Sequence, residues 1–328
     1  MVRFGVIGTN WITERFLDAA RQVEDFQLTA VFSRTEKRAA EFASKYNAPH
    51  TFTSIQEMAD SDQLDAVYIA SPNSLHKEYA IALMNGKKHV LCEKPMGSNV
   101  REVEEMIQAA RDNQVLLMEA LKSSFLPNFK AVQENLHKVG QIRRYIGNYC
   151  QYSSRYDKYK EGTVLNAFKP EFSNGSLMDI GVYGIYPMVV LFGEPEEVKA
   201  NGVMLESGVD GQGTVLVKYG DMEGIVMHSK ITNSEMPSEI QGEKGSLIID
   251  PIHRAERVIF RDHHGNEEDL SVPQNENSMY DETKEFISLI KENKRESDIN
   301  TFETSVTVAR IIEEARKQVG VVFPADQK

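Results

Sequence analysis

The 328-residue sequence predicts an α/β protein with two parts. The first is an N-terminal, Rossmann-type, doubly wound parallel sheet. The second is a C-terminal α+β domain on a large, mostly antiparallel sheet. Three observations predict this. The chain opens on a short apolar run, residues 4–7, that passes through Gly8 into a helical pattern over residues 16–23. Short apolar strands then alternate with helical patterns as far as Met118, as parallel βαβ units do. From about Arg143 the apolar residues alternate along consecutive runs divided by tight turns, as in antiparallel sheets.

Each element can be justified in order. Strand, Gly and helix at the N-terminus form the context of a dinucleotide fingerprint. Against G-x-G-x-x-G, Gly8 holds the first place, Asn10 the second and Thr13 the third. Asn is the next-best residue where the backbone wants positive φ, so Asn10 is expected to stand in a left-handed turn. Gly8, Thr9, Asn10, Trp11 and Ile12 are the candidate cofactor-facing turn. A second strand, residues 28–32, ends at Ser33-Arg34, where an acid would bind the ribose 2′-hydroxyl of NAD. An Arg there suits a 2′-phosphate, which favours NADP and leaves NAD possible. Arg38 follows one helical turn later, on the face of Arg34. It is a candidate for stacking on adenine or sharing the phosphate; the alternative is a solvated Arg pair.

Residues 66–70 form the next strand, ending at Ser71-Pro72-Asn73. Asn73 and His76 fall at a strand end and are candidate cofactor contacts, with His76 equally readable as an ordinary first-turn helix residue. The strand over residues 89–92 ends at Glu93-Lys94-Pro95. Ligands of open α/β sheets bind beyond the carboxyl ends of the strands, so Lys94 arrives where chemistry is done. Pro95 fixes φ and removes a donor, locking the turn. The plain alternative is a surface Glu-Lys pair. A helix over residues 100–112 leads to a strand over 115–118.

The second half reads as strands near residues 143–151, 198–205, 213–219, 224–231, 246–250 and 257–261. A helix over 176–192 is expected to cover one face of their sheet. Residues 274–277 form a loop into a helix over 279–291, and Asn300-Thr301 caps a last helix over about 302–319. The expected domains are residues 1–122 and 123–328.

Composition excludes several classes. A net charge of −12 argues against a nucleic-acid footprint. Two Cys, Cys92 and Cys150, sit in strand-like runs and read as buried free thiols, which fit a reducing, cytoplasmic setting. No Cys/His spacing suggests a metal. No apolar stretch of about 18 residues or more is seen, so no membrane span is expected.

Taken in order, several motifs carry a resemblance. They are Gly5-x-x-Gly8, Ser33-Arg34, Ala70-Ser71-Pro72-Asn73-x-x-His76, Gly86-Lys87-Lys88-His89-Val90, Glu93-Lys94-Pro95 and Met118-Glu119-Ala120. Much later comes Gly175-Ser176-Leu177-Met178-Asp179-Ile180-Gly181-Val182-Tyr183. Together they resemble the glucose-fructose oxidoreductase / inositol dehydrogenase / rhizopine catabolism (Gfo/Idh/MocA) family of NAD(P)-dependent oxidoreductases, over nearly the whole chain. The resemblance implies that Lys94 is catalytic, that the Lys94–Pro95 bond is often cis, and that the last helix packs back on the nucleotide domain. Tyr183 stands where many members have His, a pattern similar to the dihydrodiol dehydrogenases and glucose-fructose oxidoreductase.

The implied chemistry follows from residue types. Moving a hydride between an alcohol carbon and nicotinamide also requires moving the hydroxyl proton. A Tyr has a pKa of about 10 in water, and a neighbouring ammonium lowers it. Lys94 close to Tyr183 would supply that charge and polarise the substrate oxygen. Asp179, four residues before Tyr183, could hold Lys94 charged or bind a substrate hydroxyl. Glu93 could orient Lys94 or the nicotinamide ribose. The substrate class implied is a sugar, cyclic polyol or dihydrodiol-like alcohol. The alternative function is a catalytically silent nucleotide sensor of the same fold. A sheet covered on one face only also implies a homo-oligomer, most simply a dimer through that sheet.

Overall fold

The computed structural model describes residues 1–327. Contacts divide the described residues into two units: residues 1–97, 101–120 and 275–302 form the first, and residues 98–100, 121–274 and those from 303 onward the second.

In the first unit, strands β1 (Val2–Ile7), β2 (Phe26–Phe32), β3 (His50–Phe52), β4 (Ala66–Ile69), β5 (His89–Glu93) and β6 (Leu117–Ala120) alternate with helices. The helices are α1 (Trp11–Ala20), α2 (Glu36–Tyr46), α3 (Ile55–Asp60), α4 (His76–Asn85) and α5 (Val100–Asn113). The six strands run in the order β3-β2-β1-β4-β5-β6, every pair parallel. Strand order reverses between β1 and β4, the switch point where such sheets bind ligands. β4 is buried along its whole length, as a strand covered on both faces must be. Phe16 of α1 stacks on Tyr68 of β4 at 3.8 Å, which ties the first helix to the centre of the sheet.

The second unit holds α6 (Pro127–Asn135), β7 (Ile142–Cys150), α7 (Tyr156–Lys160), a π-helical turn (Leu177–Gly181) and α8 (Val182–Phe192). Strands β8 (Glu197–Met204), β9 (Asp210–Tyr219), β10 (Met222–Ser229), β11 (Ser238–Gly242), β12 (Gly245–Asp250), β13 (Arg257–Asp262) and β14 (Glu267–Asp269) follow. The eight strands run β14-β13-β12-β11-β7-β10-β9-β8. The sheet is antiparallel except where β10 pairs parallel with β7. That pair needs a long crossover, and residues 151–221 supply it.

Tyr145, Val215, Val217, Val226, Ile240, Leu247 and Ile249 point inward and pack with Ile185, Tyr186, Met188 and Val189 of α8. Close approach of α8 to the sheet depends on glycine: a Cβ on Gly184 would lie 2.7 Å from a Val226 methyl, and one on Gly147 would lie 3.1 Å from the Gly184 Cα. The Tyr145 hydroxyl donates to the Gly184 carbonyl at 2.8 Å. Pro187 inside α8 has no N–H for the Tyr183 carbonyl.

Two expectations need correction. The helix over 176–192 begins as a π-helical turn rather than an α-helix. The run Pro170–Phe192 is long and apolar enough by composition to cross a membrane, although none was expected; residues 182–189 are all buried in the core. The last helix, α10 (Phe302–Val319), groups with the second unit, because its Val308, Ile311, Ile312 and Ala315 join that unit's core. α9 (Tyr280–Lys291) belongs to the first unit, where its Phe286 lies 5.9 Å from Phe4.

Candidate active site

The first unit carries one group of the expected site residues on the turns that follow β1, β2, β4 and β5. Gly8 sits at φ +99°, and a Cβ there would lie 2.5 Å from the Ala70 carbonyl oxygen. Only glycine fits this crossing of the β1 and β4 turns. Asn10 is not left-handed, as the fingerprint implied. Its φ is −106°, and it is the N-cap of α1, its side chain accepting from the Ile12 and Thr13 N–H groups at 3.1 and 3.3 Å. Its amide also donates to Ala70 O at 3.1 Å. A capping Asn does a different job from a turn Gly, which explains how a degraded fingerprint still forms a tight turn. Thr13 is buried and Trp11 is 61% exposed.

Arg38 donates to Thr9 Oγ1 at 3.0 Å and to Thr9 O at 2.9 Å, binding α2 to the Gly8 turn. Ser33 is half-buried and Arg34 exposed at the end of β2. Thr9, Ser33, Arg34 and Arg38 therefore share one edge of the unit.

The turn after β5 is tied at three points. Glu93 is buried and accepts from the Tyr68 hydroxyl at 2.6 Å. The Pro95 carbonyl meets His76 Nδ1 at 3.0 Å. The Met96 N–H donates to the buried Glu119 carboxylate at 2.8 Å. Between these points the half-buried Lys94 is held, and the Lys94–Pro95 bond is cis. His76 is fully buried, and its Nε2 meets the Ser71 carbonyl at 3.0 Å. The ring thus spans the β4 and β5 turns. Burial holds its pKa below the usual value despite the two carbonyls. Its one N–H donates to one of these carbonyls while the other nitrogen faces the second, so His76 braces the turns that carry Ser71, Pro72, Asn73 and Lys94. Asn73 is buried beside it at the start of a short 3₁₀ turn.

The second unit carries the remaining expected site residues, Asp179 and Tyr183. Tyr183, 9% exposed, lies in the first turn of α8. Tyr149 meets its ring edge-on at 5.7 Å and His253 at 6.0 Å, and these two stack on each other at 4.2 Å. The Lys122 ammonium sits 6.0 Å from the Tyr183 ring centroid. Asp179, half-exposed, lies in the π-helical turn before α8 and is ion-paired to Lys230. Lys230 is 4% exposed and also lies over the Phe168 ring at 5.5 Å. Behind the turn, Ser176, Asp210 and His228 are buried together.

Lys122, Lys230, Asp210, His228, Tyr149 and His253 escaped the reading of the sequence. For His228 and Lys230 a signal exists: inward alternation along β10 through Gly224 and Val226 places both on the core-facing side, where an unpaired charge is costly. The described residues contain no cluster of three or more His, Cys, Asp or Glu able to hold a metal ion.

The model of the GFO/IDH/MocA oxidoreductase family, an NAD-binding Rossmann fold, matches residues 2–121, and the family's C-terminal domain matches residues 135–248. The chain belongs to this family. It is 62% identical, over the full length of both chains, to the scyllo-inositol 2-dehydrogenase (NADP(+)) IolU of Bacillus subtilis (strain 168). It is 30% identical to the trans-1,2-dihydrobenzene-1,2-diol dehydrogenase of Danio rerio, covering 100% of this chain and 99% of that one. The inositol dehydrogenase is thus nearer than the dihydrodiol branch that Tyr183 pointed to. A solved structure, the 3-ketoreductase KijD10 of Actinomadura kijaniata with TDP-benzene and NADP, has a similar fold, with a TM-score of 0.84 at 22% identity, covering 98% of this chain and 99% of that one. The GFO/IDH/MocA fold, and oxidoreductase as the class, are therefore those of this chain.

Proposed function

We propose that the protein is an NADP-dependent dehydrogenase of a cyclic polyol, with scyllo-inositol the first substrate to test, and with Lys94, Tyr183 and Asp179 as its catalytic residues. The observation that carries this reading is the three-point anchoring of the Glu93-Lys94-Pro95 turn beyond the carboxyl end of β5. A surface Lys needs no such brace, whereas one that must meet a reacting oxygen does. The polyol comes from the 62% identical relative.

The residues present fit a dinucleotide. Gly8 keeps the β1 turn open where a Cβ would fill it. Ser33, Arg34 and Arg38 offer hydroxyl and guanidinium groups for a 2′-phosphate, and Ser71, Pro72, Asn73 and Glu93 line the neighbouring turns. When bound, NADP supplies the hydride acceptor or donor. Lys94 donates a hydrogen bond to the substrate oxygen, Tyr183 takes its proton, and Asp179 orients a neighbouring hydroxyl. Positive charge near a phenol favours its ionised form, a role shared by Lys94 and Lys122.

NADPH formation by the purified protein, followed spectroscopically over a panel of inositols and sugars, tests the reading. Turnover with NADP(+) and a cyclic polyol is expected, with NADP(H) binding at least about tenfold tighter than NAD(H), roughly 1.4 kcal/mol. Arg34→Ala is expected to narrow that gap. Equal affinity for both nucleotides would refute the assignment of Arg34. Nucleotide binding with no turnover on any alcohol would move the protein to the sensor reading.

The same reading includes a homodimer through the uncovered face of the eight-stranded sheet. Leu216, Ile225, Ile146, Glu239, Ile248 and Ile259 are successive cross-strand neighbours there. Leu216 is 47% exposed, and Ile146, Ile225 and Ile248 are partly so. Such a row, apolar except at Glu239, is a recurrent interface signal. Light scattering is expected to give about twice the 37.1 kDa chain mass, and Ile225→Asp to give the single chain. A single-chain mass for the unmodified protein at micromolar concentration would overturn this. The free thiols, buried Cys92 and half-buried Cys150, accord with a cytoplasmic setting.

A further inference from the structure

Residues 98–100 follow the Glu93-Lys94-Pro95 turn closely. They group with the second unit, while the chain on both sides of them groups with the first. Each of the three is bonded to α10 or to the short 3₁₀ turn Pro324–Gln327. Arg316 Nη2, on α10, donates to the Ser98 carbonyl at 3.0 Å. The Asn99 side-chain amide donates to the Ala325 carbonyl at 3.2 Å and to Asp326 Oδ1 at 3.1 Å. The Val100 N–H donates to Glu313 Oε2, also on α10, at 2.9 Å.

Arg316 joins these bonds into one network. It is 2% exposed, a depth at which an unpaired charge is costly. Its two terminal nitrogens meet the two Asp326 oxygens at 2.8 and 3.1 Å, the forked pairing that a planar guanidinium makes with a carboxylate. It also donates to the Val321 carbonyl at 3.2 Å and lies over the Phe323 ring at 4.2 Å. Asp326 in turn accepts the Phe323 N–H at 2.8 Å. Burial works against the Asp326 charge, but Arg316 and the Phe323 N–H outweigh it and hold the carboxyl below its ordinary value. Asp326 cannot move without breaking its bonds to Arg316, Phe323 and Asn99 together.

Only Pro95, Met96 and Gly97 separate Lys94 from Ser98. The partners of Glu93, Pro95 and Met96 fix the backbone as far as Met96, and the Arg316 network fixes it again from Ser98. We propose that Asn99, Arg316 and Asp326 are positioning residues for Lys94: they hold residues 98–100 so that the Lys94 ammonium stays within reach of the reacting oxygen. The proposal rests on the reading of Lys94 as catalytic. An anchor for residues 321–326 alone would be complete with Arg316 and Asp326. The bonds from Ser98 and Asn99 tie that anchor to the segment beside Lys94. Such a tie matters because a misplacement of about 1 Å, even from a substitution far from the chemistry, can cost about a hundredfold in rate.

Steady-state kinetics of the full chain with NADP(+) and a cyclic polyol, alongside nucleotide titration and thermal unfolding, test this. Arg316→Met strands the buried Asp326 carboxylate and so tests folding as much as catalysis. The decisive variant is Asn99→Ala, which alters no charge. It is expected to lower kcat about tenfold or more. KM for the polyol and affinity for NADP are expected to stay within about twofold of the unmodified protein, the scatter of independent sites. In the Lys94→Met background the same substitution is expected to change kcat by less than about twofold, because the group it positions is gone. A loss of kcat smaller than about threefold in Asn99→Ala would overturn the proposal, whether or not Tm falls. An equal loss in both backgrounds would also overturn it, since that is what a merely structural role predicts. An unchanged kcat in Lys94→Met would instead remove the reading of Lys94 on which the proposal stands.

Discussion

Lys94→Met and Tyr183→Phe are each expected to lower kcat by roughly two to four orders of magnitude, the range for a positioned acid–base pair. The double variant is expected to be little worse than the poorer single one, because two groups acting on one oxygen fail together. The physical ground for Lys94 is its turn: Glu93, Pro95 and Met96 are each fixed by a partner on β4, α4 or β6. For Tyr183 it is the box of Tyr149, His253 and Lys122, which fixes the ring. Nucleotide affinity is expected to change little in Tyr183→Phe and to fall further in Lys94→Met. Steady-state kinetics together with a nucleotide titration check all of this. Near-normal turnover in Tyr183→Phe would assign the proton to another group, with Asp179 the first to examine, since both nitrogens of His76 face backbone carbonyls.

The second large effect is expected at Gly8. An Ala there has to adopt φ +99° and place its Cβ 2.5 Å from the Ala70 carbonyl oxygen. Strain of this kind costs about 1–3 kcal/mol, and relieving it moves the β1 turn off the β4 turn. Gly8→Ala is therefore expected to lower Tm by several degrees and to weaken nucleotide binding by at least about tenfold. Asn10→Ala is the matched comparison. It removes the cap of α1, costing about 1 kcal/mol, while leaving φ at an ordinary value. Calorimetric unfolding and nucleotide titration separate the two. Equal nucleotide affinity in Gly8→Ala and the unmodified protein would show that the turn does not face the cofactor.

The parallel sheet was legible because each of its longer strands is a short apolar run closed by Gly, Ser or Pro. The second sheet was legible only in part. β11, Ser238–Gly242, has one apolar residue, Ile240, so period-two alternation cannot be read from it; its place is fixed by hydrogen bonds to β7 and β12. The π-helical turn was hidden for a related reason. Its geometry answers to Asp210, His228 and Lys230 beneath it, not to its own five residues. Lys94, Asp179 and Tyr183 stood out through the motifs that hold them. Tyr68 and Glu119, which brace Lys94, read as ordinary strand residues because their partners are distant in sequence. Asn10 stood in a glycine's place in the pattern but does a cap's work, a difference only φ and the side-chain bonds reveal.

The central claim is that Lys94 and Tyr183 act on one substrate oxygen. A crystal structure of the ternary complex with NADP and a cyclic polyol that is turned over tests it most directly. The account predicts Lys94 Nζ and the Tyr183 hydroxyl both at about 2.6–3.2 Å from the reacting oxygen. A complex in which that oxygen is held by other side chains, with either group outside hydrogen-bond reach, would contradict it.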